Sequence, residues 1–79
     1  MLLEKKQLAE ILGTRVRELR LEKGITIEKL ALDAEMQYAH LSRIEHGKIN
    51  TTVFQIYKIS KSLNQPIANF FLNIEFPNL

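Results

Sequence analysis

The chain has 79 residues, 46% of them hydrophobic and 25% charged, with a formal net charge of +2 and no cysteine. This is the composition of one small globular domain rather than a disordered chain, and the absence of cysteine excludes disulfides, thiolate nucleophiles and sulfur-ligated metals together. No apolar run approaches the ~20 residues of a membrane-spanning helix, and the charged start MLLEKKQ argues against a secretion signal, so the expected location is cytoplasmic.

The first segment, LEKKQLAEILGTRVRELRLEKG, repeats Leu8, Leu12, Val16 and Leu19 at helical spacing, with Ile11 alongside. Gly13 interrupts it at a cost of about 1 kcal/mol against alanine, so the helix is assigned from Ile11, with residues 1–10 an extension that continues it, the alternatives being packing on a partner or fraying. Lys23 and Gly24 supply a basic last turn and a glycine stop. Thr26 is a suitable N-cap for a short second helix that ends near Asp33 or Ala34 and turns Leu30, Ala31 and Ala34 inward. After Glu35 and Met36 a third helix begins at Gln37 or Tyr38. It carries Leu41 and Ile44 inward, leaves Tyr38, Ala39, Ser42 and Arg43 outward, and ends at His46-Gly47-Lys48. Asn50 and Thr51 open a fourth helix, TTVFQIYKISKSLN, and Pro66 suits the first turn of a fifth, PIANFF. The tail Leu72-Asn73-Ile74-Glu75-Phe76 alternates apolar and polar residues, a strand period. The expected architecture is an all-α five-helix bundle over residues 11–71, with a short extended tail at 72–79.

Charge is unevenly placed. Residues 1–36 balance, whereas between Gln37 and Asn64 the bases Arg43, Lys48, Lys58 and Lys61 face only Glu45, an imbalance suited to a polyanion or to an ordinary solvated surface. Enzyme readings lack parts: His40 and His46 are the only histidines, no carboxylate completes a metal-ligand pattern, and there is no phosphate loop or nucleophile elbow. No catalytic residue, metal ligand, cofactor or small-molecule ligand is therefore assigned. The informative feature is a pair of short helices joined by a tight turn, because a short helix held on a scaffold fits the ~12 Å major groove of B-DNA. Glutamine can bond adenine in bidentate fashion, arginine guanine, and alanine can touch the thymine methyl. A helical bundle that merely displays polar residues has the same periodicity.

The stretches LGTRVRELRLEKGIT, EKLALDAEMQYAHLSRIEHGK and NTTVFQIYKISKSLNQPIANFF resemble the Cro/phage-repressor-type helix-turn-helix proteins, the XRE family, from Leu12 to Phe71. The resemblance implies a lambda-repressor-like fold and DNA binding. It implies base or adjoining-phosphate contacts from Gln37, Tyr38, Ala39, Ser42 and Arg43, and phosphate contacts from Thr26, Lys48 and Asn50. It also implies a buried Arg20–Glu45 ion pair, against the alternative of two exposed charges. Three positions depart from the family pattern: Ile27 replaces a glutamine that bonds phosphate, Glu35 a turn glycine and Thr51 a proline.

A lone strand in a helical protein needs a partner, and a chain this small often gains stability from a second copy. A symmetric homodimer is therefore expected, with Phe54, Phe70, Leu72, Ile74 and Phe76 at its interface; the alternative is a tail folded over its own core. The function these features imply is a transcriptional regulator that binds a near-palindromic operator and acts through its own concentration, as phage repressors and restriction–modification controllers do. The alternative is a protein-interaction module, such as an antitoxin, that binds a cognate protein and DNA only secondarily.

Overall fold

The computed structural model describes residues 3–72 and 74. Within them the chain forms α1 (Lys5–Lys23), α2 (Ile27–Asp33), α3 (Tyr38–Glu45) and α4 (Val53–Leu63), followed by a 3-10 turn at Ile67–Phe70. Among the described residues there is no strand, and no helix is long and apolar enough to cross a membrane.

Two element assignments differ from the sequence reading. The fifth helix is a single 3-10 turn: Asn69 N donates to Pro66 O and Phe71 N to Ala68 O, and the segment is too short to propagate i→i+4 bonds. Helix four starts later, at Val53, because Thr52 caps it; Thr52 Oγ1 accepts from Gln55 N at 3.1 Å. α1 begins at Lys5, ahead of Ile11, and its first turn is closed by Glu4 N donating to Gln7 Oε1 at 2.8 Å. Of the expected pairing strand, Asn73, Glu75 and Phe76 lie outside the described residues; Leu72 is in a turn and Ile74 is half-buried.

The core gathers one face of every element: Val16 from α1, Leu30 and Ala31 from α2, Leu41 and Ile44 from α3, Ile56, Ile59 and Leu63 from α4, and Phe70. Each fully buried large aliphatic or aromatic side chain contributes about 1.5–3 kcal/mol of transfer free energy. The sequence reading places Phe70 at a subunit interface, and the structure corrects it. Phe70 has no exposed surface and fills the chain's own core, because the 3-10 turn folds it back against α1 and α4.

The α1–α3 contact depends on Gly13. A Cβ at that position would collide with Ile44 O and lie 2.9 Å from Glu45 O, so the bare glycine lets the two backbones approach. Gly47 does the same one turn earlier on α1: with φ 68°, it packs directly under Glu10.

Candidate nucleic-acid interface

The site is built outward from α2 and α3. Thr26 Oγ1 accepts from Lys29 N at 3.0 Å, which fixes the start of α2 and leaves the hydroxyl hydrogen free to donate to a ligand. The α2–α3 turn passes through Glu35 at φ 53°, a left-handed conformation that favours glycine. Lys58 Nζ donates to the Glu35 carbonyl at 3.2 Å. Gln37 then caps α3 with extended backbone and without a side-chain capping bond, so its exposed carboxamide remains available.

α3 is fixed from within by Leu41, Ile44 and Glu45, all buried. Arg20 is 8% and Glu45 7% exposed. The guanidinium spans the carboxylate with Nε to Oε2 at 2.7 Å and Nη2 to Oε1 at 3.1 Å, while Nη1 donates to Ile25 O at 2.8 Å. Every nitrogen of a buried guanidinium is thus hydrogen-bonded, the condition under which a buried ion pair is tolerated. Its ends hold the close of α1, the connection to α2 and the close of α3 in one place.

The opposite side of α3 faces solvent. Tyr38, Ala39 and Arg43 are exposed, and among the described residues no carboxylate pairs with Arg43. Ser42 is half-buried rather than fully outward: His46 folds back, with Nδ1 donating to Ser42 O at 2.7 Å and lying 3.4 Å from Ser42 Oγ. Beyond Gly47, Lys48 and Asn50 lie in the loop that follows α3, Asn50 exposed. Gln37, Tyr38, Ala39 and Arg43 are thus exposed at the cap of α3 or along it, Lys48 and Asn50 lie in the loop that follows it, and Thr26 caps α2.

The sequence reading passes over the flank of α3. Between α3 and the first turn of α4 lies an open crevice of about 310 Å³ lined by Glu35, Met36, Gln37, His40, Arg43 and Gln55. Gln55 Oε1 is buried without a hydrogen-bond partner, and Thr51 Oγ1 is likewise buried and unpartnered. The signal for Gln55 is its position three residues after Thr52, which the pattern threonine-x-x-glutamine marks as a capping residue. Among the described residues no group of three or more His, Cys, Asp or Glu side chains is placed to hold a metal ion.

The profile of the helix-turn-helix family HTH_3 matches residues 16–70. The control protein C.BamHI of Bacillus amyloliquefaciens is 39% identical over 54 residues, which make up 67% of this chain and 67% of that protein. The HTH-type transcriptional regulator SutR of Escherichia coli (strain K12) is 33% identical over 63 residues, 80% of this chain; the chain spans only 35% of that protein's length. Among solved structures, the restriction-modification controller protein C.AhdI from Aeromonas hydrophila superposes with a TM-score of 0.78 at 28% identity, covering 80% of this chain and 96% of that one.

Proposed function

The chain belongs to the helix-turn-helix family, and from that premise we propose that it is a sequence-specific DNA-binding transcriptional regulator acting as a homodimer. α3 enters the major groove. Gln37, Tyr38, Ala39, Ser42 and Arg43 meet base edges or the adjoining phosphates, while Thr26, Lys48 and Asn50 hold the backbone. A two-fold dimer places two such helices about 34 Å apart on a near-palindromic site. Its resemblance to C.BamHI and C.AhdI, a control protein and a restriction-modification controller by name, favours a small regulator of that kind in the cytoplasm.

The observation that carries this reading is the two-sidedness of α3. Three buried side chains and a hydrogen-bonded ion pair fix its inner face, while its outer face presents Tyr38, Ala39 and an Arg43 that pairs with no carboxylate among the described residues. A helix held this firmly spends little entropy on docking, and its polar outer face has no structural task.

Selection of bound sequences from a random duplex pool tests it. A preferred sequence with two-fold symmetry is expected, and its affinity should fall steeply with added salt as cations leave the phosphates. Arg43→Ala should cost about 1–3 kcal/mol on the preferred duplex and little on random DNA. An equal loss on both would reassign Arg43 to phosphate, and no enrichment at all would reject the reading.

One observation favours a second reading. Phe54 is 64% exposed and stacked on Tyr57 with ring centroids 6.2 Å apart. An apolar face of this kind is suited to binding protein. An antitoxin-like module would use it to hold a cognate partner, and salt-insensitive pairing without DNA selection would distinguish that case.

A further inference from the structure

Gln55 stands three residues after the N-cap Thr52, where a glutamine side chain ordinarily reaches back to the cap residue's own N–H. Only half of that exchange is made. Thr52 Oγ1 accepts from Gln55 N, whereas Gln55 Oε1 is buried with no donor at all. Gln55 also lines the crevice between α3 and α4, and a buried acceptor left unpaired carries a standing desolvation penalty. An unmade bond in that position points to a donor that arrives later.

Three neighbours in the crevice can donate: Gln37, His40 and Arg43. Arg43 fits best. It is exposed, pairs with no carboxylate among the described residues, and offers N–H groups on more than one edge of a planar fork. Resting on the DNA-binding reading above, we propose that Gln55 is a positioning residue for Arg43. When α3 seats in the groove and water leaves, Gln55 Oε1 accepts one guanidinium N–H and holds the fork with its free edge toward guanine O6 and N7. The competing acceptor is the carboxylate of Glu35 at the same crevice, which would draw Arg43 away from the bases. A neutral amide anchors the guanidinium without neutralising it. Gln55 therefore sharpens base choice while touching no base.

The test uses the full chain and the duplex it prefers from the random pool. Gln55→Met keeps the side-chain length and removes the acceptor. The ratio of affinity for preferred over random DNA should then drop about tenfold, ~1.4 kcal/mol, with the thermal midpoint unchanged or raised. In an Arg43→Ala background the same substitution should leave the ratio where it is. Gln55→Glu, which would pair Arg43 with a carboxylate and neutralise it, should lower the ratio as well. The inference is overturned by a ratio that survives Gln55→Met, by a loss that persists without Arg43, by parallel losses on both duplexes, or by a lowered melting point with the ratio intact, which marks a plain helix cap. Should the wild-type chain prefer no sequence, the functional reading itself fails and this inference with it.

Discussion

Arg20 donates from all three of its guanidinium nitrogens, two to Glu45 and one to the carbonyl of Ile25, so its removal would strand a carboxylate that is 7% exposed. Removing one partner of a buried pair costs about 3–5 kcal/mol, whereas an exposed pair is worth under ~1 kcal/mol. Arg20→Met should therefore lower the urea unfolding free energy by the larger amount, and Arg20→Met/Glu45→Met should recover much of it; a loss below ~1 kcal/mol would mean the pair is solvated. Gly13 sets two effects against each other. Alanine there gains about 1 kcal/mol of helix propensity, yet its Cβ would run into the Ile44 carbonyl oxygen, backbone that cannot turn aside. Sterics win, and Gly13→Ala should destabilise by about 1–3 kcal/mol in the same assay. The Arg20–Glu45 pairing is implied by the family resemblance, but the role of Gly13 is not legible, because a glycine in a helical pattern reads as a local cost until the neighbouring backbone is seen.

Among the elements, α2 and α3 are readable to within a residue because their ends carry local chemistry: Thr26 as cap, Gly47 at φ 68° as stop, and inward Leu30, Leu41 and Ile44 at helical spacing. The start of α1 is harder to read, since a Glu4–Gln7 bond replaces the serine or threonine cap that signals a beginning. The fifth element fails as a helix for a reason of scale: four residues after a proline close turns but do not propagate. Between α2 and α3, Glu35 sits at φ 53°. A residue bearing a Cβ is strained there by roughly 1–2 kcal/mol relative to glycine. Glu35→Gly should accordingly raise stability by about 1 kcal/mol. It also removes an acid from the crevice that Arg43 lines, so DNA affinity at low salt should rise. Loss of stability in Glu35→Gly would show that the Glu35 side chain, rather than its backbone geometry, maintains the turn.

At the scale of the whole molecule, one group of uncovered apolar side chains lies on α4 and at the end of the described residues: Val53, Phe54, Tyr57, Ile67, Phe71 and Leu72 are all exposed. None of these belongs to the buried core, so substitutions there should leave the fold in place. Phe70, by contrast, has no surface to give, which shifts the expected two-fold contact from the 3-10 turn toward the stacked pair of Phe54 and Tyr57. A two-fold contact is made by one patch meeting itself, so a charge introduced near the axis meets its own copy and repels it. Lys58 Nζ lies 5.5 Å from the Phe54 ring centroid in the same protomer. A carboxylate at position 54 would gain only a solvent-exposed attraction to it. Phe54→Glu should thus sediment as a monomer at concentrations where the unsubstituted chain is a dimer, with its thermal midpoint little altered. On a palindromic duplex the variant should bind each half-site weakly and without cooperativity, because the second α3 is no longer delivered one helical turn away. A chain ending at Phe71 separates the two candidate interfaces. If it stays dimeric while Phe54→Glu does not, the contact lies on α4; if truncation alone dissociates the dimer, the residues beyond Phe71 make the contact and the aromatic face of α4 is left for a different partner.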